Sequence, residues 1–174
     1  IQRKQERVNA LNEITSREGP QSIAFVGSSG TELPKKDLIQ SAIAVSTPLN
    51  LSWTNSLPLR ENAWAWPNSL IEQDLIVYVL PLPLRASDLL WLRNIPDDQQ
   101  SWVMVLTNEP NDWHAQLKEL KAQIPSRWTN RILRWQLSDQ DLKNLLSPIR
   151  RVLDQPKRNL DLTRLRLLSN LHRS

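Results

Sequence analysis

Asp74-Leu-Ile-Val-Tyr-Val-Leu80 is the stretch on which the fold turns. It is continuous in apolar residues, rich in β-branched ones, and shorter than the roughly 10–12 residues of an ordinary helix. A strand buried on both faces reads this way, and such strands occupy the middle of parallel sheets. Working outward, Ser22-Ile-Ala-Phe-Val-Gly27 is a second short apolar run that ends on glycine. Ser101-Trp-Val-Met-Val-Leu-Thr107, Leu49–Thr54 and Arg131–Leu137 complete the set of expected strands.

Between these runs the apolar spacing changes from strand to helix. Lys35–Ala44 carries Leu38, Ile39, Ala42 and Ile43 at helical spacing, with Pro34 acceptable in its first turn. Ala86–Arg93 follows the central strand, with Ser87 or Asp88 as its cap, and Asn111–Gln123 follows the next one. Ser138 would cap a helix bearing Leu142, Leu145, Leu146, Ile149, Val152 and Leu153. Asn55–Asn68 is irregular, punctuated by Pro58 and Pro67. Strands alternating with helices imply an α/β fold: a mostly parallel five-stranded sheet with helices on both faces.

Two helices flank this unit. Ile1–Arg17 sets Val8, Leu11 and Ile14 on one side and is stopped by Gly19-Pro20. Asn159 would cap a last helix with leucines from Leu160 to Leu171. The expected organisation is an N-terminal helix (1–18), an α/β domain (19–154) and a basic amphipathic helix (155–174). The terminal helices are expected to lie outside the sheet domain, packing on each other or on a segment beyond these residues.

Composition narrows the chemistry. The 174 residues are 40% hydrophobic and 23% charged, ordinary globular values. There is no cysteine, which excludes disulfides, thiol nucleophiles and Cys-ligated zinc, and is compatible with a cytoplasmic location. His114 and His172 are the two histidines, too few for a His-based metal site. No apolar run reaches membrane-spanning length, and Ile1–Arg17 is charged throughout, unlike a signal peptide. The start at Ile1 and the basic final helix suggest an excerpt of a longer protein.

The order of these pieces resembles the G domain of the Era-type branch of P-loop GTPases. Ser22–Gly27 resembles the strand entering the phosphate loop, and Asp74–Leu80 with Pro81–Asp88 the family's central strand. Ser101–Asp112 resembles the strand leading to the guanine-reading loop, and Arg134–Arg150 the last strand and helix. The resemblance spans roughly Ser22–Leu153 and requires the Leu49–Thr54 strand to lie beside Ser22–Gly27. It implies vestigial nucleotide contacts at Gly27, Ser28, Ser29, Gly30, Lys35, Asn108 and Asp112.

Every nucleotide motif departs from the family pattern. A phosphate loop needs G-x-x-x-x-G-K-S/T, so that backbone amides and a lysine face phosphate while a hydroxyl holds Mg²⁺. Counted from Gly27, the last three places hold Glu32, Leu33 and Pro34. Proline removes an amide donor and glutamate adds negative charge where phosphates would sit. Asn55-Ser-Leu-Pro-Leu-Arg60 stands where D-x-x-G is expected. Thr107-Asn-Glu-Pro-Asn-Asp112 carries Asn108 and Asp112, but with Glu109 for lysine and one residue too many. The reading that results is a pseudo-GTPase with no catalytic residues and no cofactor, serving protein interaction, regulation or scaffolding. Two alternatives stay open: an atypical GTP-binding switch with a rearranged loop, and an unrelated flavodoxin-like or receiver-like binding module.

Each candidate has a plainer reading. Gly27–Gly30 serves equally as a βα turn whose glycines meet backbone geometry. Asp97-Asp98, Glu109/Asp112 and Asp139/Asp141 are paired carboxylates at loops or helix starts, where aspartate caps amides. Of the eight tryptophans, Trp53, Trp64 and Trp66 lie around the place of the missing D-x-x-G, where they anchor either the domain itself or a protein partner. Arg60 is the one base near them, so nucleic-acid stacking is disfavoured. At the C-terminal end Lys143, Arg150, Arg151, Lys157, Arg158, Arg164, Arg166 and Arg173 outweigh Asp154 and Asp161. That excess suits a solvated helix face or an anionic membrane surface, the latter giving membrane association.

Overall fold

A computed structural model of the chain describes residues 1–59, 65–107, 112–136 and 141–173. Its elements run α1 (Gln2–Thr15), β1 (Gln21–Ser28), α2 (Lys36–Ala42), β2 (Leu49–Leu57), α3 (Asn68–Ile71) and β3 (Leu75–Pro81). They continue with α4 (Ala86–Arg93), β4 (Ser101–Thr107), α5 (Trp113–Gln123), β5 (Ile132–Gln136), α6 (Leu142–Leu145), α7 (Ser147–Leu153) and α8 (Pro156–Arg173). The five strands form one sheet in the order β2-β1-β3-β4-β5, every pair parallel. The second strand therefore lies beside the first, at the edge.

The alternation of side chains along each strand builds a core on both faces of the sheet. Ile23, Phe25, Val77, Val79 and Met104 face α2, α6 and α7, where they meet Ile39, Leu146, Ile149 and Leu153. Ala24, Val26, Ile76, Tyr78 and Leu80 face the other way, against Leu70, Trp91, Leu92 and Leu120 of α3, α4 and α5. Residues 75–80 are all buried, so each large side chain there contributes on the order of 1.5–3 kcal/mol.

Several boundaries differ from the sequence expectation, each for a local reason. β2 runs on through Asn55-Ser56-Leu57, because it follows β1 past an irregularity that pairs Ser28 with Leu57. α2 begins at Lys36, leaving Pro34 outside the helix, and lasts seven residues. The helix expected after Ser138 is two pieces, with Pro148 in the first turn of the second. Proline cannot donate the bond that would continue α6 through it. Ser138 and Asp139 lie outside the described residues.

The last helix departs most. Asn159 is not its cap: the helix begins at Pro156, and Asn159 lies inside it, 3% exposed. With Thr163 and Arg166 it makes a buried polar stripe along α8. Asn159 Nδ2 donates to Gln21 Oε1 at 2.9 Å and to the Val152 carbonyl at 2.8 Å. Thr163 Oγ1 donates to Asp74 Oδ1 at 2.5 Å, while Asp74 Oδ2 accepts from the Ser22 amide at 2.8 Å. Arg166 donates to the carbonyls of Ile71 and Gln73 and to Gln99 Oε1. The helix is thus fastened to the amino end of the sheet by its polar side, while Leu162 and Leu165 stay 38% and 64% exposed. α1 does pack against α8, as expected, but Val8 and Leu11 are each 43% exposed and it buries no residue fully.

Candidate functional site at the carboxyl ends of β1 and β3

β1 and β3 are neighbours whose connections leave in opposite directions along the sheet, β1 to β2 on one side and β3 to β4 on the other. The crevice outside the carboxyl ends of such a strand pair is where open α/β sheets bind ligands. Here it is bounded by the loop after β1 and the segment entering α4.

Two glycines shape the first of these. A Cβ at Gly27 would stand 3.1 Å from both Cβ and Cγ2 of Thr31, so a side chain there would push against the loop where it folds back onto its own strand. Gly30 has φ of +84°, a left-handed conformation that favours glycine. The turn is closed by the Ser29 amide on the Leu57 carbonyl at 2.7 Å and the Thr31 amide on the Ser28 carbonyl at 3.0 Å. Asn55 Nδ2 adds a bond to the Thr31 carbonyl at 3.0 Å. The glycines of Gly27–Gly30 are accounted for by backbone geometry.

The centre of the crevice is filled by a polar network the sequence reading missed. Asp88, fully buried, accepts at Oδ1 from Tyr78 Oη at 2.7 Å and from Ser28 Oγ at 2.9 Å. Arg85 Nε donates to Asp88 Oδ2 at 2.8 Å, and its Nη2 reaches Ser28 Oγ and Thr31 Oγ1, each at 2.6 Å. One guanidinium therefore joins the loop after β1 to the start of α4. Burial, followed by the neighbouring Asp88 charge, pushes the Tyr78 phenol far above its ordinary range. The hydrogen bond to Asp88 raises Arg85. Asp88 is thus no helix cap: Arg85 holds the N-cap position of α4, where no side chain caps. Its tyrosine partner was the visible signal, an isolated phenol in an otherwise aliphatic strand.

The remaining expected residues scatter. Lys35, exposed, holds the N-cap position of the short α2, and Asp112, also exposed, that of α5. β3 separates the strand before Asp112 from the strand that carries Gly27. Asn108 and Trp64 lie outside the described residues, as do Arg60 and Glu109. Trp53 is half-buried on β2, its ring 5.9 Å from Phe25. Trp66 is a core residue instead of a free anchor: it is 5% exposed and donates to the Trp91 carbonyl at 2.9 Å. Its ring stands edge-on to Tyr78 and Trp91, at 6.2 and 5.4 Å. Asp97 pairs with Arg127 at 3.0 Å, a surface contact.

Chemically, Asp88 is engaged at both oxygens by donors of its own chain, which leaves it poorly placed as a base or metal ligand. Among the described residues no group of three His, Asp or Glu side chains could hold a metal ion, and no helix is long and apolar enough to cross a membrane. No protein-family model, curated protein or solved structure matches the chain.

Proposed function

We propose that this chain is a GTPase-like α/β domain whose phosphate loop has become a structural joint, and that it works through protein interaction instead of nucleotide hydrolysis. The observation that carries this reading is the hold of Arg85 on Ser28 and Thr31. A working phosphate loop keeps its donors free for an anion. Here the loop hydroxyls are turned onto an internal ion pair, and an arriving phosphate would meet the Asp88 carboxylate behind it. Glu32, Leu33 and Pro34 in the places of the family's Gly-Lys-Ser/Thr point the same way.

The interaction surface this reading favours is the outer side of β2. That strand lies at the sheet edge, where its unpaired backbone groups face outward, and Trp53 is half-buried along it. The strand order also fits a flavodoxin-like binding module, whose sheet runs in the same sequence.

Titration calorimetry with Mg-GTP, Mg-GDP and Mg-ATP tests the proposal. The expected result is no saturable heat at nucleotide concentrations of about 100 μM. Micromolar affinity for any of the three that is lost in Lys35→Ala would restore an active nucleotide switch and end the structural-joint reading.

A further inference from the structure

With the β1–β3 crevice filled by Arg85 and Asp88, the open space at the carboxyl end of the sheet lies one strand further on. A cavity of about 460 Å³ sits between the Leu82–Leu84 segment and α5, above the ends of β3 and β4. Its volume falls in the ordinary range for small-molecule sites. Leu82, Leu84, Leu106 and Leu120 supply apolar wall, and Leu106 and Leu120 are themselves buried in the fold. This wall suits a flat or branched apolar body.

The polar part of the lining decides the sign of the ligand. Glu119 is the one charged side chain among the described lining residues, with no arginine or lysine opposite it. The other polar lining residues, Thr107, Gln116 and Gln123, are neutral and both donate and accept, so the charge of the rim is set by Glu119. An anion would meet a carboxylate and no compensating cation, whereas an ammonium would find a carboxylate beside an apolar wall. We infer that this cavity binds a small organic amine: a cationic nitrogen directed at Glu119, carried on an apolar body that lies against Leu84, Leu106 and Leu120. The inference is independent of the nucleotide reading, since it involves neither the loop after β1 nor Arg85.

The test uses the whole chain, labelled with ¹⁵N, and three probes of similar shape: 2-phenylethylamine, 2-phenylethanol and phenylacetate. Amide shifts for the amine are expected at residues 82–84 and 116–123, saturating with a dissociation constant on the order of 1 mM. The alcohol should bind more weakly and the carboxylate least. Glu119 is exposed, so Glu119→Gln should fold normally; it is expected to weaken amine binding about 3- to 5-fold, the effect of an exposed ion pair, and leave the alcohol unchanged. Leu84→Trp, which fills the cavity from its rim, should abolish binding of both. Absence of shifts with the amine, equal binding of the carboxylate, or an unchanged amine affinity in Glu119→Gln would each overturn the proposal.

Discussion

The two ends of the parallel sheet are closed by the same device in opposite electrical states. At the carboxyl end Arg85 is matched by a buried carboxylate, and Asp88 in turn gathers Tyr78 and Ser28. At the amino end Arg166 is held by neutral acceptors, two carbonyls and the Gln99 side chain. Burial pulls Arg166 below the usual arginine range, with Asp98 and Asp74 acting in the opposite direction. The paired arginine fixes a loop within the sheet unit. The unpaired one fastens a helix from outside it. A carboxylate partner gives one deep minimum, whereas carbonyl partners can be returned to water at lower cost.

The largest expected effect follows from breaking the paired end. Asp88→Ala strands the buried Tyr78 and Ser28 hydroxyls and removes the carboxylate opposite Arg85, and should cost about 3 kcal/mol, read from the denaturant midpoint. Loss of hydrogen-exchange protection should centre on residues 28–31. At the other end Arg166→Met keeps the aliphatic packing but leaves the Ile71 carbonyl and Gln99 Oε1 unmatched, while the Gln73 carbonyl keeps its bond from Gln99 Nε2, at about 2 kcal/mol. Its hydrogen-exchange signature should be confined to α8 and residues 71–74. A global loss of protection in this variant would erase the contrast between the ends.

Tyr78 sharpens the comparison with pH. It is the single tyrosine of the chain, so tyrosinate absorbance reports it alone. Its folded pKa lies above the unfolded value near 10, so its contribution is fully present below pH 10 and is lost as pH rises beyond it, when the unfolded chain ionises first. The expected outcome is no tyrosinate signal in the folded protein through pH 10, and a decline in stability above that pH. Tyr78→Phe should remove that part of the decline and cost about 1 kcal/mol at neutral pH.

The smallest effect belongs to the outward side of α8. Leu165→Ser should change stability by less than about 0.5 kcal/mol, because Leu165 is 64% exposed. A larger loss would mean that the leucine side, and not the polar stripe, holds the helix.

Asp74–Leu80 and its neighbours could be read from sequence because burial on both faces leaves a continuous apolar record. The α/β class and the parallel sheet followed from that record. The docking of α8 left no such trace. Apolar spacing marks Leu162 and Leu165 as the side to bury, yet Asn159, Thr163 and Arg166 go inward, because their partners are backbone carbonyls and side chains brought together only by the fold. Asp88 misled in a related way. An aspartate at a helix start reads as a cap, but its partners are a phenol ten residues earlier and a hydroxyl sixty earlier. Gly27–Gly30 was correctly located as a strand-to-helix turn, and the arginine that fills the space above it was invisible to motif spacing.

The bond between Asn159 and Gln21 joins residues 138 apart in the chain. During synthesis, therefore, the two closures mature at different times. Ser28, Tyr78, Arg85 and Asp88 are all available once residue 88 has left the ribosome, so the loop after β1 can be locked early. Gln21 and Asp74 must wait for α8, made after all five strands, to receive Asn159 and Thr163. Until then the amino end of the sheet lacks the two donors that α8 brings to Gln21 Oε1 and Asp74 Oδ1, and water must take their place.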